Sequence, residues 1–160
     1  MDQATAFATV AAARALASAG NVDGAIAKLS AVLGERPDDA PTLALLAAFE
    51  LRRGRLDPAE DAADAAVKAD PELPLAHRVL GLVHQMRKHH ADAEKEFRTA
   101  IGLEPNEAYH RLYLARLLAD RNRRDEAEAE FQAALEHAPD DATLLASYAD
   151  LLASRGDLDQ

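Results

Sequence analysis

Apolar residues recur along this chain with helical spacing. In the stretch Leu43-Ala44-Leu45-Leu46-Ala47-Ala48-Phe49 and its counterparts, positions 4, 7, 8 and 11 of a segment about fourteen residues long share one arc at ~100° per residue. A polar turn signal follows each such segment, at Ala19-Gly20-Asn21, Arg53-Gly54-Arg55, Lys88-His89-His90, Asn122-Arg123-Arg124 and Arg155-Gly156-Asp157. A second helix is predicted to open at Asp23, Asp57, Asp125 and Asp159, where a carboxylate caps free backbone N–H groups and suits the positive end of the helix dipole. Pro58 reads as a first helical position, Glu60 completes a capping-box spacing, and Ala91 lacks the cap. Pro37, Pro71, Pro105 and Pro139 then stop the second helices.

Those four prolines are each 34 residues apart. Five positions before them stand Val32, Ala66, Ala100 and Ala134; eight before, Leu29, Ala63, Phe97 and Phe131; twelve before, Ala25, Ala59, Ala93 and Ala127. The chain therefore divides into four units (6–39, 40–73, 74–107, 108–141) and a half unit, 142–160. Positions below are counted from 1 within each unit. The third unit, with Leu80-Gly81, Ala93, Phe97, Ala100 and Pro105, and the fourth, with Leu114-Ala115, Ala127, Phe131, Ala134 and Pro139, resemble the tetratricopeptide repeat. The resemblance implies an all-α, right-handed superhelical solenoid of antiparallel helix pairs whose first helices line a concave wall. The column usually held by Trp has Thr9, Leu43, His77, Arg111 and Leu145; the usual Tyr column has Leu16, Glu50, His84, Leu118 and Leu152. These departures weaken individual packing contacts.

Small residues recur where helices must approach closely: Ala13, Ala47, Gly81, Ala115 and Ala149 are expected to face Ala25, Ala59, Ala93 and Ala127. Ala63 stands where later units have Phe97 and Phe131, so the second unit is expected to be less well filled.

Composition narrows the picture. The 160 residues suffice for one domain, and 38 Ala and 23 Leu against 6 Val and 2 Ile argue against any sheet-based fold. There is no Cys, which excludes disulfides, thiolate nucleophiles and Cys-zinc sites. Eighteen basic against 28 acidic residues give a net charge of −10, which repels nucleic acid. No run reaches the ~18 apolar residues of a membrane span. Met1-Asp2-Gln3 lacks a basic leader and Arg14 interrupts the Ala-rich stretch, so a cytoplasmic location is the default expectation.

Charge is unevenly divided. The first helices carry nine Arg and no Lys against Glu50, Asp120 and Asp150, a balance of +6 that leaves −16 elsewhere. Arg53, Arg87, Arg121 and Arg155 lie in last helical turns, where a cation complements the dipole. Positions 2, 5, 9, 12 and 13 fall opposite the core arc, and the resemblance implies that they form the concave wall. They hold Phe7, Val10, Arg14, Ala17 and Ser18 in unit one, Pro41, Ala44, Ala48, Leu51 and Arg52 in unit two, Leu75, Arg78, Leu82, Gln85 and Met86 in unit three, and Tyr109, Leu112, Arg116, Ala119 and Asp120 in unit four, with Tyr113 at the margin. The candidate partner-binding residues are Arg14, Arg52, Arg78, Leu82, Met86, Tyr109, Tyr113 and Arg116. Such a wall suits a protein or peptide with apolar anchors and a carboxylate, because guanidinium forks bind carboxylates at two points. Ordinary solvated arginines are the plain alternative. The family's Lys/Asn carboxylate clamp is not visible in the matching columns, Val10, Ala44, Arg78, Leu112 and Arg14, Ala48, Leu82, Arg116.

Catalytic and cofactor chemistry finds no support. His77 and His84 lie two turns apart, some 10 Å along the axis and too far for one zinc. His89-His90 reads as a solvated turn, and Asp125-Glu126-Ala127-Glu128-Ala129-Glu130 as a solvated helix face. No phosphate loop or nucleophile elbow occurs, so neither cofactor nor enzyme activity is expected. The favoured function is a protein-interaction module or adaptor that binds a peptide or helix in its groove. The alternatives are a self-assembling scaffold in which the C-terminal helix, whose Leu144, Leu145, Tyr148, Leu151 and Leu152 are apolar around much of the wheel, stacks end-to-end on another copy's first unit, or the repeat arm of a larger enzyme such as a transferase. The half unit reads as part of a longer chain or as its own cap. Ala93→Leu and Ala127→Leu are expected to overpack the helix pair and cost ~1–3 kcal/mol; thermal unfolding at unchanged midpoint would refute the paired-helix packing.

Overall fold

The computed structural model describes residues 1–156. Among them run nine helices and no strand: α1 (Gln3–Ser18), α2 (Val22–Glu35), α3 (Ala40–Arg52), α4 (Leu56–Ala69), α5 (Pro74–Met86), α6 (His90–Leu103), α7 (Ala108–Asp120), α8 (Arg124–His137) and α9 (Ala142–Gly156). Each odd helix packs on the even helix after it, each pair abuts the next, and α3, α5, α7 and α9 lie side by side along one row.

The turns inside the pairs share one backbone solution. The fifteenth residue of each complete unit has positive φ: Gly20 (85°), Gly54 (73°), Lys88 (63°) and Asn122 (59°). That conformation reverses the chain at the end of the first helix, and Gly or Asn enters it at low cost. The capping expectation needs correction. The true N-caps are Asn21, Arg55, His89 and Arg123, and Asn21 accepts from the Gly24 N–H at 2.9 Å. Asp23, Asp57 and Asp125 lie inside the first turn, and Pro58 is third in α4 rather than first. The predicted fifth turn is also displaced, since α9 runs through Gly156; Asp159 lies outside the described residues.

Released from capping, these acids bridge units. Arg53 reaches back to Asp23 at 3.0 Å, and Arg87 pairs with Asp57 and with Glu60 at 2.8 Å. Arg53 and Arg87 are thus held by carboxylates of the preceding unit as well as by their own helix dipoles. Ala91 stands where Asp23 and Asp57 do, and beside it Arg121 borders a small cleft with His90, Glu94 and Leu117.

The polar residues in the Trp and Tyr columns also have partners. His77, 8% exposed, has Nδ1 2.7 Å from Glu96 Oε2 and Nε2 2.8 Å from the Pro71 carbonyl. Arg111 at the matching position donates to Glu130 at 2.9 Å, and Glu50 pairs with Arg55 at 2.6 Å. Units three and four therefore hold a polar pair, His77 with Glu96 and Arg111 with Glu130, in the column usually held by Trp.

Two faces of the inner first helices α3, α5 and α7 are buried. The face bearing Ala13, Ala47, Gly81 and Ala115 meets its own second helix, and these residues are buried with Ala25, Ala59, Ala93 and Ala127. Gly81 faces Phe97 more directly than Ala93: a Cβ there would stand 2.5 Å from the ring. In unit two Ala63 shares one buried cluster with Val79, Leu80 and Val83 of α5. The other face, positions 3, 6 and 10, packs on the preceding unit through Thr42, Leu45 and Phe49, then Ala76, Val79 and Val83, and finally Leu144, Ser147 and Leu151. Unit one has Ala8, Ala11 and Ala15 there, all exposed. At the other end Ala149 is exposed, as are Leu145 and Leu152, because no second helix covers them among the described residues.

Gly81→Ala is expected to destabilise by ~1–3 kcal/mol, since Phe97 has no free space into which to retreat. Denaturant titration of the variant beside Ala115→Gly separates this steric effect from helix propensity.

Candidate functional site

Side-by-side packing of the first helices forms the inner wall, and its register differs from the sequence expectation at three places. Ala17, Ala44 and Leu112, expected in the groove, are 3%, 0% and 1% exposed. Neighbouring first helices close over these positions. Where the wall opens, a cleft of about 390 Å³ lies across α3, α5 and α7, lined by Ala48, Leu51, Arg52, Leu75, Arg78, Val79, Leu82, Tyr109 and Tyr113.

The aromatic side of this cleft is fixed by polar contacts. Tyr113 stacks on Phe97 with ring centroids 6.0 Å apart and planes 20° from parallel. The Tyr109 hydroxyl donates to Asp141 Oδ2 at 2.9 Å, and Asp141 also accepts from the Thr143 and Leu144 N–H groups at the start of α9. The backbone donor of Leu144 and then the tyrosine hydroxyl hold the Asp141 carboxyl below the usual carboxylate range, while that same carboxylate pushes Tyr109 up. Tyr109 thus reaches its place because the last residue of its own unit, immediately before α9, supplies an acceptor.

The two arginines of the cleft differ in occupation. Arg52 donates to the Ala17 carbonyl at 3.4 Å, and its guanidinium carbon stands 5.9 Å from the centroid of the Phe49 ring. Arg78 is half-buried and, among the described residues, forms neither an ion pair nor a hydrogen bond. Close to it, His110 is 1% exposed, with Nε2 3.3 Å from Glu104 and Nδ1 buried without a hydrogen-bond partner. Burial, and next the Arg78 charge, push the His110 imidazole down from its ordinary value, against the opposing pull of Glu104 and Glu107.

Of the eight sequence candidates, Arg52, Arg78, Leu82, Tyr109 and Tyr113 come together here. Arg14 is exposed on α1 and Met86 is 56% exposed at the end of α5, both outside the cleft lining. Arg116 belongs to a second cleft of about 350 Å³ with Ala119, Asp120, Arg124, Phe131, Ser147, Asp150, Leu151 and Ser154. Ser147, Asp150 and Ser154 escaped the sequence reading because the wall pattern was not carried into the fifth unit. Val79 escaped it because position 6 is a packing position that also borders the cleft. No group of three or more His, Asp or Glu able to hold a metal occurs among the described residues.

A tetratricopeptide repeat model matches residues 16–83 and 86–151, well over half of the chain. The chain belongs to the tetratricopeptide repeat family. No curated protein sequence matches it closely enough to count as a relative. Among solved structures it is similar to MamA (21% identity, 90% of this chain and 84% of that one, TM-score 0.73). It is similar also to PilF of Pseudomonas aeruginosa (18% identity, 95% and 69%, TM-score 0.83). A third is YrrB, described as a repeat protein with an unusual peptide-binding site (21% identity, 92% and 76%, TM-score 0.67). At these identities the likeness shows the fold alone: a superhelical solenoid of antiparallel helix pairs. Tetratricopeptide repeats generally mediate protein–protein interactions and are typically non-catalytic. No described helix is long and apolar enough to cross a membrane.

His110 links the wall to pH. Its proton affinity is lower folded than unfolded, so acid favours the unfolded chain once pH falls below the unfolded value of about 6.5. The stability it contributes is present above that value and disappears as pH drops through the lower folded one. His110→Leu should flatten the parent's loss of stability as pH falls below about 6.5; parallel slopes for both proteins in urea titrations on the acid side of that value would exclude the coupling.

Proposed function

We propose that the cleft across α3, α5 and α7 is a binding site for an extended or helical segment of a protein partner that carries a carboxylate flanked by apolar side chains. The observation that carries this reading is Arg78, half-buried and without a partner of its own, beside Leu75, Leu82, Tyr109 and Tyr113. A guanidinium placed between apolar walls has lost part of its hydration and gains from a two-point carboxylate partner. Tyr109 and Tyr113 are held by Asp141 and Phe97, so they offer contact area without further loss of freedom on binding. Arg52 also lines the cleft and supplies a second cation when it leaves the Ala17 carbonyl. This makes the chain a non-enzymatic adaptor module.

A second reading rests on the other end of the array. Leu145 and Leu152 are 47% and 43% exposed with Ala149 between them, on the face that second helices cover in α1, α3, α5 and α7. Another copy placing its own α9 antiparallel there would bring small residue against small residue at the crossing, as inside each unit. Sedimentation velocity across a wide concentration range reads this directly, and a constant monomer mass excludes it.

The groove reading is tested with an immobilised library of short acidic peptides containing Leu, Phe or Tyr. Arg78→Ala is expected to weaken the selected peptides roughly 10- to 100-fold, the range of a charge-assisted hydrogen bond. Arg78→Lys should restore only part, because an ammonium lacks the planar fork. Equal affinity of parent and Arg78→Ala for every retained peptide would place binding elsewhere.

A further inference from the structure

Phe7 holds in unit one the position that Tyr109 holds in unit four, and the last residue of each unit is an aspartate, Asp39 and Asp141. In unit four the tyrosine hydroxyl donates to that aspartate, and the ring is fixed in the wall of the cleft across α3, α5 and α7. In unit one the ring has no hydroxyl, and Asp39 is already committed: it pairs with Arg36 at 3.1 Å and accepts from the Thr42 N–H at 3.2 Å. Phe7 is left 77% exposed, more than any other large apolar side chain among the described residues. Beside it a cleft of about 180 Å³ runs between α1 and α3, with Ala6, Phe7, Val10 and Pro41 as its apolar lining. Arg36 and Asp39 also line it, but they satisfy one another, so the cleft offers apolar area and no unpaired charge. Residues 2 and 5 of successive units run through both clefts: Phe7, Val10 and Pro41 in this one, Leu75, Arg78 and Tyr109 in the larger. The two openings therefore follow one row of the inner wall.

We infer that the cleft beside Phe7 receives an aliphatic side chain of the same extended partner segment whose carboxylate is bound at Arg78. The spacing follows from the array. Arg78 on α5 is two first helices away from α1, and helices packed side by side at ~8–10 Å put roughly 16–20 Å between the two sites. An extended chain rises ~3.3 Å per residue, so the aliphatic residue stands about five or six positions from the carboxylate. The small volume and the mutually satisfied Arg36 and Asp39 select an uncharged aliphatic group. Binding covers the Phe7 ring and the incoming side chain together, removing from water apolar area that both expose when apart. The inference rests on the groove reading for the carboxylate anchor. It adds a second anchor of different chemistry and fixes the distance between the two.

The test uses the full chain and synthetic peptides with a central Glu flanked by Leu and Tyr in a Gly/Ser background. One further Leu is walked outward residue by residue on either side, and affinity is read by fluorescence anisotropy. It is expected to peak roughly tenfold above the peptide without the further Leu when that residue stands about five or six positions from the Glu on one side. Phe7→Ala should erase the peak and leave the affinity of the peptide without the further Leu unchanged. Because Phe7 is exposed, the variant should keep the parent's thermal midpoint. Arg78→Ala should weaken every peptide by the same factor, so the peak survives at lower affinity. A flat scan, a peak at another spacing, or a peak that persists in Phe7→Ala overturns the inference and leaves the groove reading in place. Binding that ignores Arg78→Ala, or no binding of any peptide, removes the groove reading and the inference with it.

Discussion

The contact on which the array depends is the close approach of each first helix to its own second helix across a column of residues with almost no side chain. Ala13, Ala47, Gly81 and Ala115 are buried there, and at Gly81 the partner is an aromatic ring with no room for a methyl group. Once that distance is set, the opposite face of the first helix is available to the preceding unit, and positions 3, 6 and 10 bury against it. Stability is therefore distributed along the chain, each unit being held mainly by its neighbours. The ends follow from the same constraint. The first unit reduces its outward face to Ala8, Ala11 and Ala15, which exposes little apolar area. The last described helix keeps Leu145 and Leu152 on a face that a second helix would cover.

Electrostatics divides the arginines into those that serve the solenoid and those free to serve a ligand. Arg53, Arg87, Arg111 and Arg123 pair with carboxylates of second helices. Most of these pairs are partly exposed and contribute little stability individually. Their effect is to occupy the cations at the rim, which leaves the cleft with Arg78 unpaired among the described residues and Arg52 weakly held at 3.4 Å from a carbonyl. An acidic protein thus presents a localised positive site on its inner row, next to rings fixed by Phe97 and Asp141.

The proposed functional surface also shows how a repeat generates difference. At one position Tyr113 lays its ring on Phe97, whereas its counterpart Ser147 accepts from Arg116 and the Phe131 ring is met instead by Tyr148.

The period of 34, the paired helices, the reversals at Gly20 and Gly54 and the buried small columns were all determined by local sequence, because turn conformation and helical periodicity depend on residues within a few positions of one another. The core arc was legible for the same reason. The helix caps were misread by two residues, since an aspartate in a first turn serves the dipole as well as one at the cap and only the chain's path separates the two. Tertiary structure alone decided which wall positions stay open. Ala44 and Arg78 occupy the same place in their units, yet one is covered by the neighbouring helix and the other borders the cleft. It also decided which arginines are spent on acids a unit away, as Arg87 is on Glu60, and which are left unpaired. Such pairings join residues about thirty positions apart, and their geometry comes from the angle between helix pairs, which no periodicity along the chain encodes.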